Sequence, residues 1–559
     1  MTMARDLLSC PDNNMFVTTW VLEVLLEAWE LGTVTNLDTD TVQMAINALS
    51  KFHDLNVPQE MPDLMFWSQV NMNGTWIAWP ENLEQVIVHS DQFLAELEKV
   101  LLALGLDSVW EKIQQSTEEF MSMASAFKIP ADFDDSGCFL ALGTYLYHAR
   151  DQFPQAYDTW AQTVPVPENL AAKVKQYAYR PLSDDSNINV VDPRTYYFLH
   201  EFLANNTDSD LAFITTWIMN LDENRKMYYE GIAMPFNVNN VDLSVTANAI
   251  YGLLRHLIMV NPDSAWFDAG LQSVIYHSAK LIEWSVTSGR ITERHDLALL
   301  YYPPIYDFYW FVSRTLFLLD NNLQQADPAI QPFLKQIQDI FANTMRNAGT
   351  AQLLNMSNLE KSFLQDYYHW DDFLGMNDIN ILGKPAPHYD DRLFSTSVAV
   401  NALLDTWTET IPSCVRQWRS DTPTQVIKTV VGAVSWLHTY IMDPLGYKKF
   451  NCFFSGSVKS GEQLPFFFPA NYEQYLNGST LPPNAGPQYI SADLVMGIQG
   501  IIPESQYEAM VNQPQFGVPV PVNFTGFNQE AFPFWSSEPL TEATTVLALS
   551  KFLRLSECE

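Results

Sequence analysis

Apolar residues recur at three- and four-residue steps through most of this chain, as in "TDTVQMAINALSKF", "SDQFLAELEKVLLALG", "SAWFDAGLQSVIYHSAKLIEWS" and "PFLKQIQDIFANTMRNA". Each stretch reads as an amphipathic helix with one polar side. A second kind of segment has a polar start and then apolar positions all round. "DNNMFVTTWVLEVLLEAW" (12–29) aligns without a gap on "DDRLFSTSVAVNALLDTW" (390–407). The same frame places "DDSGCFLALGTYLYHA" at Asp134, "DLSVTANAIYGLLRHL" at Asp242, "DFYWFVSRTLFLLD" at Asp307 and "SEPLTEATTVLALSKFL" at Ser537.

A helix that is apolar all round needs cover on every side, whereas an amphipathic one needs it on one side only. Alternating the two kinds in a closed ring satisfies both. The pattern therefore predicts an all-α fold, an (α/α)6-type toroid in one domain spanning residues 1–559, with inner helices beginning near Asn13, Asp134, Asp242, Asp307, Asp391 and Ser537. Uneven spacing between these starts requires long insertions. Strand alternation is scarce, and the stretch 445–535, rich in Pro, Gly, Asn and Phe, reads as a loop-rich insertion near the C-terminus.

Charge narrows the function. Acids outnumber bases 65 to 30, a net charge of -35, and such a field repels nucleic acid, polyphosphates and anionic membrane surfaces. No apolar run is long enough to span a bilayer, and the first residues lack the apolar core of a signal peptide. A soluble protein is expected, cytoplasmic or secreted. Sequons at Asn73, Asn205, Asn355, Asn477 and Asn523 do not decide the compartment, because this composition yields roughly four or five by chance. Cys10, Cys138, Cys414, Cys452 and Cys558 form no CxxC pair, so neither a zinc site nor a dense disulfide framework is indicated.

If the inner helices run the same way round the ring, their starts meet at one mouth. Asp12, Asp132, Asp134, Asp135, Asp242, Asp307, Asp390, Asp391 and Glu538 would then surround it, with Tyr306, Trp310, Trp370, His388, Tyr389 and Trp535 among the nearby aromatics. Acids in an aromatic, water-poor pocket suit two reactions that pass through cations: alkene protonation and glycoside cleavage. Each carboxylate is also an ordinary helix cap, and each ring an ordinary core filler. No HxxxH or HExxH spacing, GxSxG elbow or glycine-rich phosphate loop occurs, so no metal or other cofactor is expected.

The run "PADFDDSGCFLAL" resembles the DxDD signature of class II terpene cyclases and squalene-hopene-type cyclases, which also sits ahead of an inner helix of an α/α toroid. The resemblance implies Asp134 as the acid that protonates an alkene or epoxide, Asp132 and Asp135 as its supporting carboxylates, and carbocation cyclisation or isomerisation as the reaction. Asp242, Tyr306, Asp307, Trp310, Trp370, His388, Tyr389, Asp391 and Trp535 are the candidate substrate-binding residues. Departures matter: there is no QW repeat of the squalene-cyclase kind and no DDxxD motif, so a neutral polyene, epoxide or alcohol is expected rather than a diphosphate. Two alternatives stand beside this reading. One is an (α/α)-barrel glycoside hydrolase or lyase using paired acids such as Asp134 and Asp391; the other is a non-catalytic toroid gripping an apolar small molecule.

Overall fold

The computed structural model describes residues 13–79, 128–163, 167–206, 208–234, 238–260, 264–363, 365–372, 374–376, 382–411, 414–443, 446–451, 497–511 and 536–556. Six helices carry the apolar frame: α1 (Met15–Glu30), α2 (Phe133–His148), α3 (Leu243–Met259), α4 (Ile305–Asn322), α5 (Arg392–Trp407) and α6 (Glu538–Ser556). Each begins within two residues of the position its sequence frame assigns. The fold is mainly helical, and its strands are short antiparallel pairs such as Gln69–Met72 with Thr75–Ala78.

Burial follows the two sequence patterns. In α2, thirteen consecutive positions from Asp134 through Leu146 are buried, as a helix covered on all sides requires. By contrast, Thr39–Leu49 buries only Val42, Ile46 and Leu49, one side of the helix. Amphipathic helices follow the first five framed helices: Thr39–Leu49, Pro154–Thr163, Ala269–Thr287, Gln331–Asn343 and Thr424–Tyr440.

The framed helices pack in chain order. Helix α1 lies on α2, α2 on α3, α3 on α4, α4 on α5 and α5 on α6, and α6 returns to α1. Their contacts run in parallel. Asp134 meets Asn248 near the starts of α2 and α3, and Tyr145 meets Tyr251 further along. Ser397 meets Thr544 and then Asp405 meets Lys551 between α5 and α6. Extended segments lace the starts together, through bridges of Asn14 with Trp67, Leu64 with Asp132 and Asp132 with Trp217.

Towards the C-terminal ends the contacts are ionic. Fully buried Lys551 lies 3.0 Å from Glu27 and 2.8 Å from Asp405, which also takes a 2.9 Å bond from Arg416. Burial alone would raise Asp405, but Lys551 and Arg416 hold its carboxyl below the usual value. Tyr145 of α2 donates a hydrogen bond to Glu27, so four of the six helices share this network. Within 445–535, the described parts are 446–451, which is irregular, and 497–511. The latter holds a strand, Ile498–Gln499, paired with Val190–Val191, and a helix, Glu504–Val511. The rest of that insertion lies outside the described residues.

Two substitutions test this packing. A Cβ on Gly252 would sit 2.2 Å from the Gly137 carbonyl oxygen, backbone against backbone. Gly252→Ala should therefore lower stability by about 1–3 kcal/mol in urea melts, as overpacking does; an unchanged midpoint would contradict the close α2–α3 contact. Lys551→Met leaves Glu27 and Asp405 without their shared cation and should cost about 3–5 kcal/mol, the range for breaking a buried ion pair.

Candidate functional site

The starts of α2, α3 and α4 bring one group of acids together. Asp132 is the N-cap of α2 and accepts a 2.8 Å bond from the Asp135 amide. Asp242 caps α3, accepting from the Ser244 and Val245 amides at 2.8 and 3.2 Å, and its second oxygen takes the Tyr301 amide at 2.9 Å. These two carboxylates have the capping role that their place in sequence allows. Asp134 and Asp135, in the first turn of α2, do not. Asp134 Oδ1 accepts from Asn248 Nδ2 of α3 at 2.8 Å, while its Oδ2 has no partner among the described residues. Neither carboxylate oxygen of Asp135 has one.

All four carboxyls are buried, which decides their protonation. Burial pushes Asp134 up to about 7, against hydrogen bonds from Tyr302 and Asn248 that favour the ionised form, and the charge of Asp242 adds to the rise. Burial, reinforced by charge repulsion among Asp132, Asp134 and Asp135, lifts Asp132 and Asp135 well above the carboxylate range. A helix N-terminus favours a carboxylate by about 0.3–1 kcal/mol. Removing an ion from water costs several kcal/mol, so desolvation wins.

Aromatic rings stand beside this acid. Tyr302, whose hydroxyl acts on Asp134, stacks on Phe16 of α1 with centroids 4.3 Å apart. Cys138, one turn after Asp134, lies 3.9 Å from Asp134 Oδ1 and next to the Trp20 indole. Trp20 in turn packs on Trp310 and Phe311 of α4, at 5.0 and 4.8 Å. Trp310 thus joins the acid group through Trp20.

A second acid group forms between α4 and α5. Asp372 accepts from the Ile305 amide at 3.0 Å, and Asp391 from the Leu374 amide at 2.9 Å. Burial pushes Asp391 up to about 7, against the two amides that bond it, and raises Asp307 and Asp372 as well. Tyr306 donates to the Asp371 carbonyl at 3.1 Å, and Arg392 binds the Asp371 carboxylate. Among the described residues no cluster of three or more His, Cys, Asp or Glu is placed to hold a metal ion.

The remaining candidates separate. Trp370 is fully buried and gives its indole N–H to the Leu353 carbonyl at 2.8 Å, a core role. His388 is exposed, and Tyr389 adopts a φ of 50° with Arg392 4.4 Å over its ring. Trp535 and Asp12 lie outside the described residues. An open groove of about 540 Å3, lined by Lys280, Glu283, Lys335 and Asp339 among others, lies away from both acid groups. Asn248, Glu23 and Arg314 escape a reading based on helix starts because they sit inside apolar runs. Their signal in sequence is polarity where the frame calls for an apolar side chain.

The raised Asp134 makes a pH prediction. Between about pH 4 and 7 the folded chain keeps a proton that the unfolded chain has released, so the stability linked to Asp134 is complete below about pH 4 and is lost as pH rises through about 7. The difference from 3.8 to about 7 corresponds to about 4 kcal/mol. Asp134→Asn, which cannot ionise, should gain on the parent by up to that amount between pH 4 and 8 in urea melts, and a constant gap would show that Asp134 titrates normally. No family model, no curated protein and no solved structure compared with this chain matches it.

Proposed function

We propose that this chain is a class II terpene-cyclase-like enzyme in which Asp134 protonates a neutral polyene or epoxide to start carbocation cyclisation or isomerisation. The observation that carries the reading is the state of one carboxyl. Asp134 is buried, tied through Oδ1 to Asn248, without a partner at Oδ2 among the described residues and raised to about 7, so it holds a proton near neutrality. The resemblance of "DFDD" to the DxDD signature supports the same assignment. The cyclic order of contacts among α1–α6, with amphipathic helices following five of them, supports an (α/α)6 toroid as the scaffold.

In this mechanism the proton passes from Asp134 Oδ2 to one alkene carbon, and the neighbouring carbon becomes cationic. Internal π bonds then attack the cation in turn, closing rings. Loss of a proton at the end restores neutrality, so product and substrate are isomers. The faces of Trp20, Trp310 and Phe311 stabilise the travelling charge, and the buried setting keeps water from quenching it. Asp132 holds the helix start in place, and Asp135 adds to the repulsion that keeps a proton in the group. The ligand is an apolar small molecule. The net charge of -35 disfavours nucleic acid and diphosphates, and no helix among the described residues is long and apolar enough to cross a membrane.

A second reading rests on Asp391. Two buried carboxyls raised to about 7, Asp134 and Asp391, suit the acid and its partner in an (α/α)-barrel glycoside hydrolase. One experiment separates the readings. Product formation is measured from neutral polyenes and epoxides and from oligosaccharides, with the parent, Asp134→Asn and Asp391→Asn. Asp132 still caps α2 and the Asn side-chain oxygen still accepts from Asn248, so Asp134→Asn should keep the helical spectrum while losing roughly 10²–10⁴-fold in turnover of the polyene or epoxide. Equal loss in both variants on an oligosaccharide would favour the hydrolase. If all three proteins bind an apolar ligand and convert nothing, the chain is a binding toroid.

A further inference from the structure

The helix Ala269–Thr287 carries a polar cluster that belongs to neither acid group. Ser273 and His277 stand four positions apart on it, about one helical turn, and Ser273 Oγ lies 3.4 Å from His277 Nδ1. On the other side of the ring, His277 Nε2 lies 3.0 Å from Asp208 Oδ2, which comes from the loop after the helix Pro193–Asn205. The Asp210 amide donates to Asp208 Oδ1 at 3.0 Å, so that carboxylate is held at both oxygens. His277 is 4% exposed, while Ser273 is half-buried and Asp208 reaches solvent.

The hydrogen bond from His277 holds Asp208 below the usual carboxylate range. An ionised carboxylate only accepts, so a neutral His277 carries its proton on Nε2 and turns the lone pair of Nδ1 to Ser273. A nucleophile beside a base, with the base oriented by a third group, is the arrangement that activates a serine hydroxyl, and it is recognised by geometry rather than by sequence order. Ser273 Oγ also lies 3.1 Å from Asp210 Oδ2, and the other oxygen of Asp210 takes Arg180 Nη1 at 3.5 Å. One hydroxyl hydrogen cannot serve both acceptors, so attack requires it to turn from Asp210 to His277. Arg180 brings a cation to the cluster, the kind of group that stabilises charge developing on a carbonyl oxygen.

Space for a substrate lies along the same helix. Tyr276, Lys280 and Glu283 follow Ser273 at the spacing of one helix face and wall one side of the open groove of about 540 Å3, with Lys335, Asp339 and Ile340 on the other. Lys280 pairs with Glu283 and Lys335 with Asp339, so the walls are polar and their charges cancel. Such a groove suits a short, polar ester and gives a long acyl chain no enclosed apolar slot.

We propose that Ser273 and His277, with Asp208 positioning the imidazole, form a second reactive site that hydrolyses short-chain carboxylic esters independently of Asp134. Ser273 Oγ attacks the ester carbonyl carbon as its proton passes to His277 Nδ1. The bond from that carbon to the alcohol oxygen breaks, and the alcohol leaves with the proton. Water then attacks the acyl-serine and gives one proton to His277 Nδ1, which returns it to Ser273 Oγ as the carboxylic acid departs. Ester and water become acid and alcohol.

The test combines covalent labelling with hydrolysis of p-nitrophenyl esters. A fluorophosphonate, which reacts with activated serines, should modify the folded parent at Ser273, mapped by peptide mass spectrometry, and spare the urea-unfolded chain. Ser273→Ala should remove p-nitrophenyl acetate hydrolysis down to the rate of the unfolded chain, and His277→Gln should lower it roughly 10²–10⁴-fold. Asp208→Asn should lower it as well, because an amide that donates to Nε2 moves the ring proton to Nδ1. Partial recovery in Asp208→Glu is the mark of a positioning carboxylate. Absence of labelling, labelling at another residue, or labelling undiminished in His277→Gln would overturn the proposal. Faster cleavage of p-nitrophenyl octanoate than of the acetate would overturn the assigned substrate class.

Discussion

Packing six helices side by side in one direction aligns their dipoles, and that arrangement governs the rest of the structure. Six partial positive ends converge where α1–α6 begin, and six partial negative ends converge where they finish. Acidic residues cluster at the first end, with Asp132, Asp134, Asp135, Asp242, Asp307 and Asp391, and cations such as Arg255, Lys551 and Arg554 lie near the other. A fraction of a kilocalorie per charge makes the parallel arrangement tolerable. It also gathers carboxyls of helices distant in sequence into two groups, one with Asp134 and Asp242 and one with Asp307 and Asp391.

The same convergence sets up the chemistry, because dipole and burial oppose each other there. The dipole favours ionised carboxylates; burial favours protonated ones and is the larger effect for side chains as enclosed as Asp134 and Asp391. Hydrogen bonding then sorts the acids. Asp132 and Asp242 are occupied by backbone amides of their own helices. Asp391 serves the amides of the preceding loop instead. Asp134 is held by a side-chain amide from the next helix with Tyr302 and Cys138 beside it, and its Oδ2 keeps no partner among the described residues, the condition for giving up a proton.

Towards the opposite end ions join the helices in addition to apolar contacts. Lys551 links α6 to α1 and α5 there, and Arg314 links α4 to α1 at mid-length. Buried pairs of this kind add little net stability over apolar packing, but they penalise any register that separates the partners. They hold the helices in the one alignment that also brings the acid-bearing starts together. The ionic end and the acidic end are therefore parts of one constraint.

Much of the architecture was legible in the linear pattern. Apolar periodicity located the helices, and the repeated polar start placed all six framed helices within two residues of where they begin, because capping and amphipathicity are local properties. "DFDD" was likewise visible as a place where acids accumulate. What only the tertiary structure decided is which of those acids is a cap and which is not. That distinction depends on Asn248, which lies 114 positions from Asp134 and reaches it only because α2 and α3 approach at Gly137 and Gly252. The meeting of Glu23 with Arg314, 291 positions apart, has the same origin. Periodicity reports the environment of a helix face, whereas a hydrogen bond between helices requires their relative register, and no single segment encodes it.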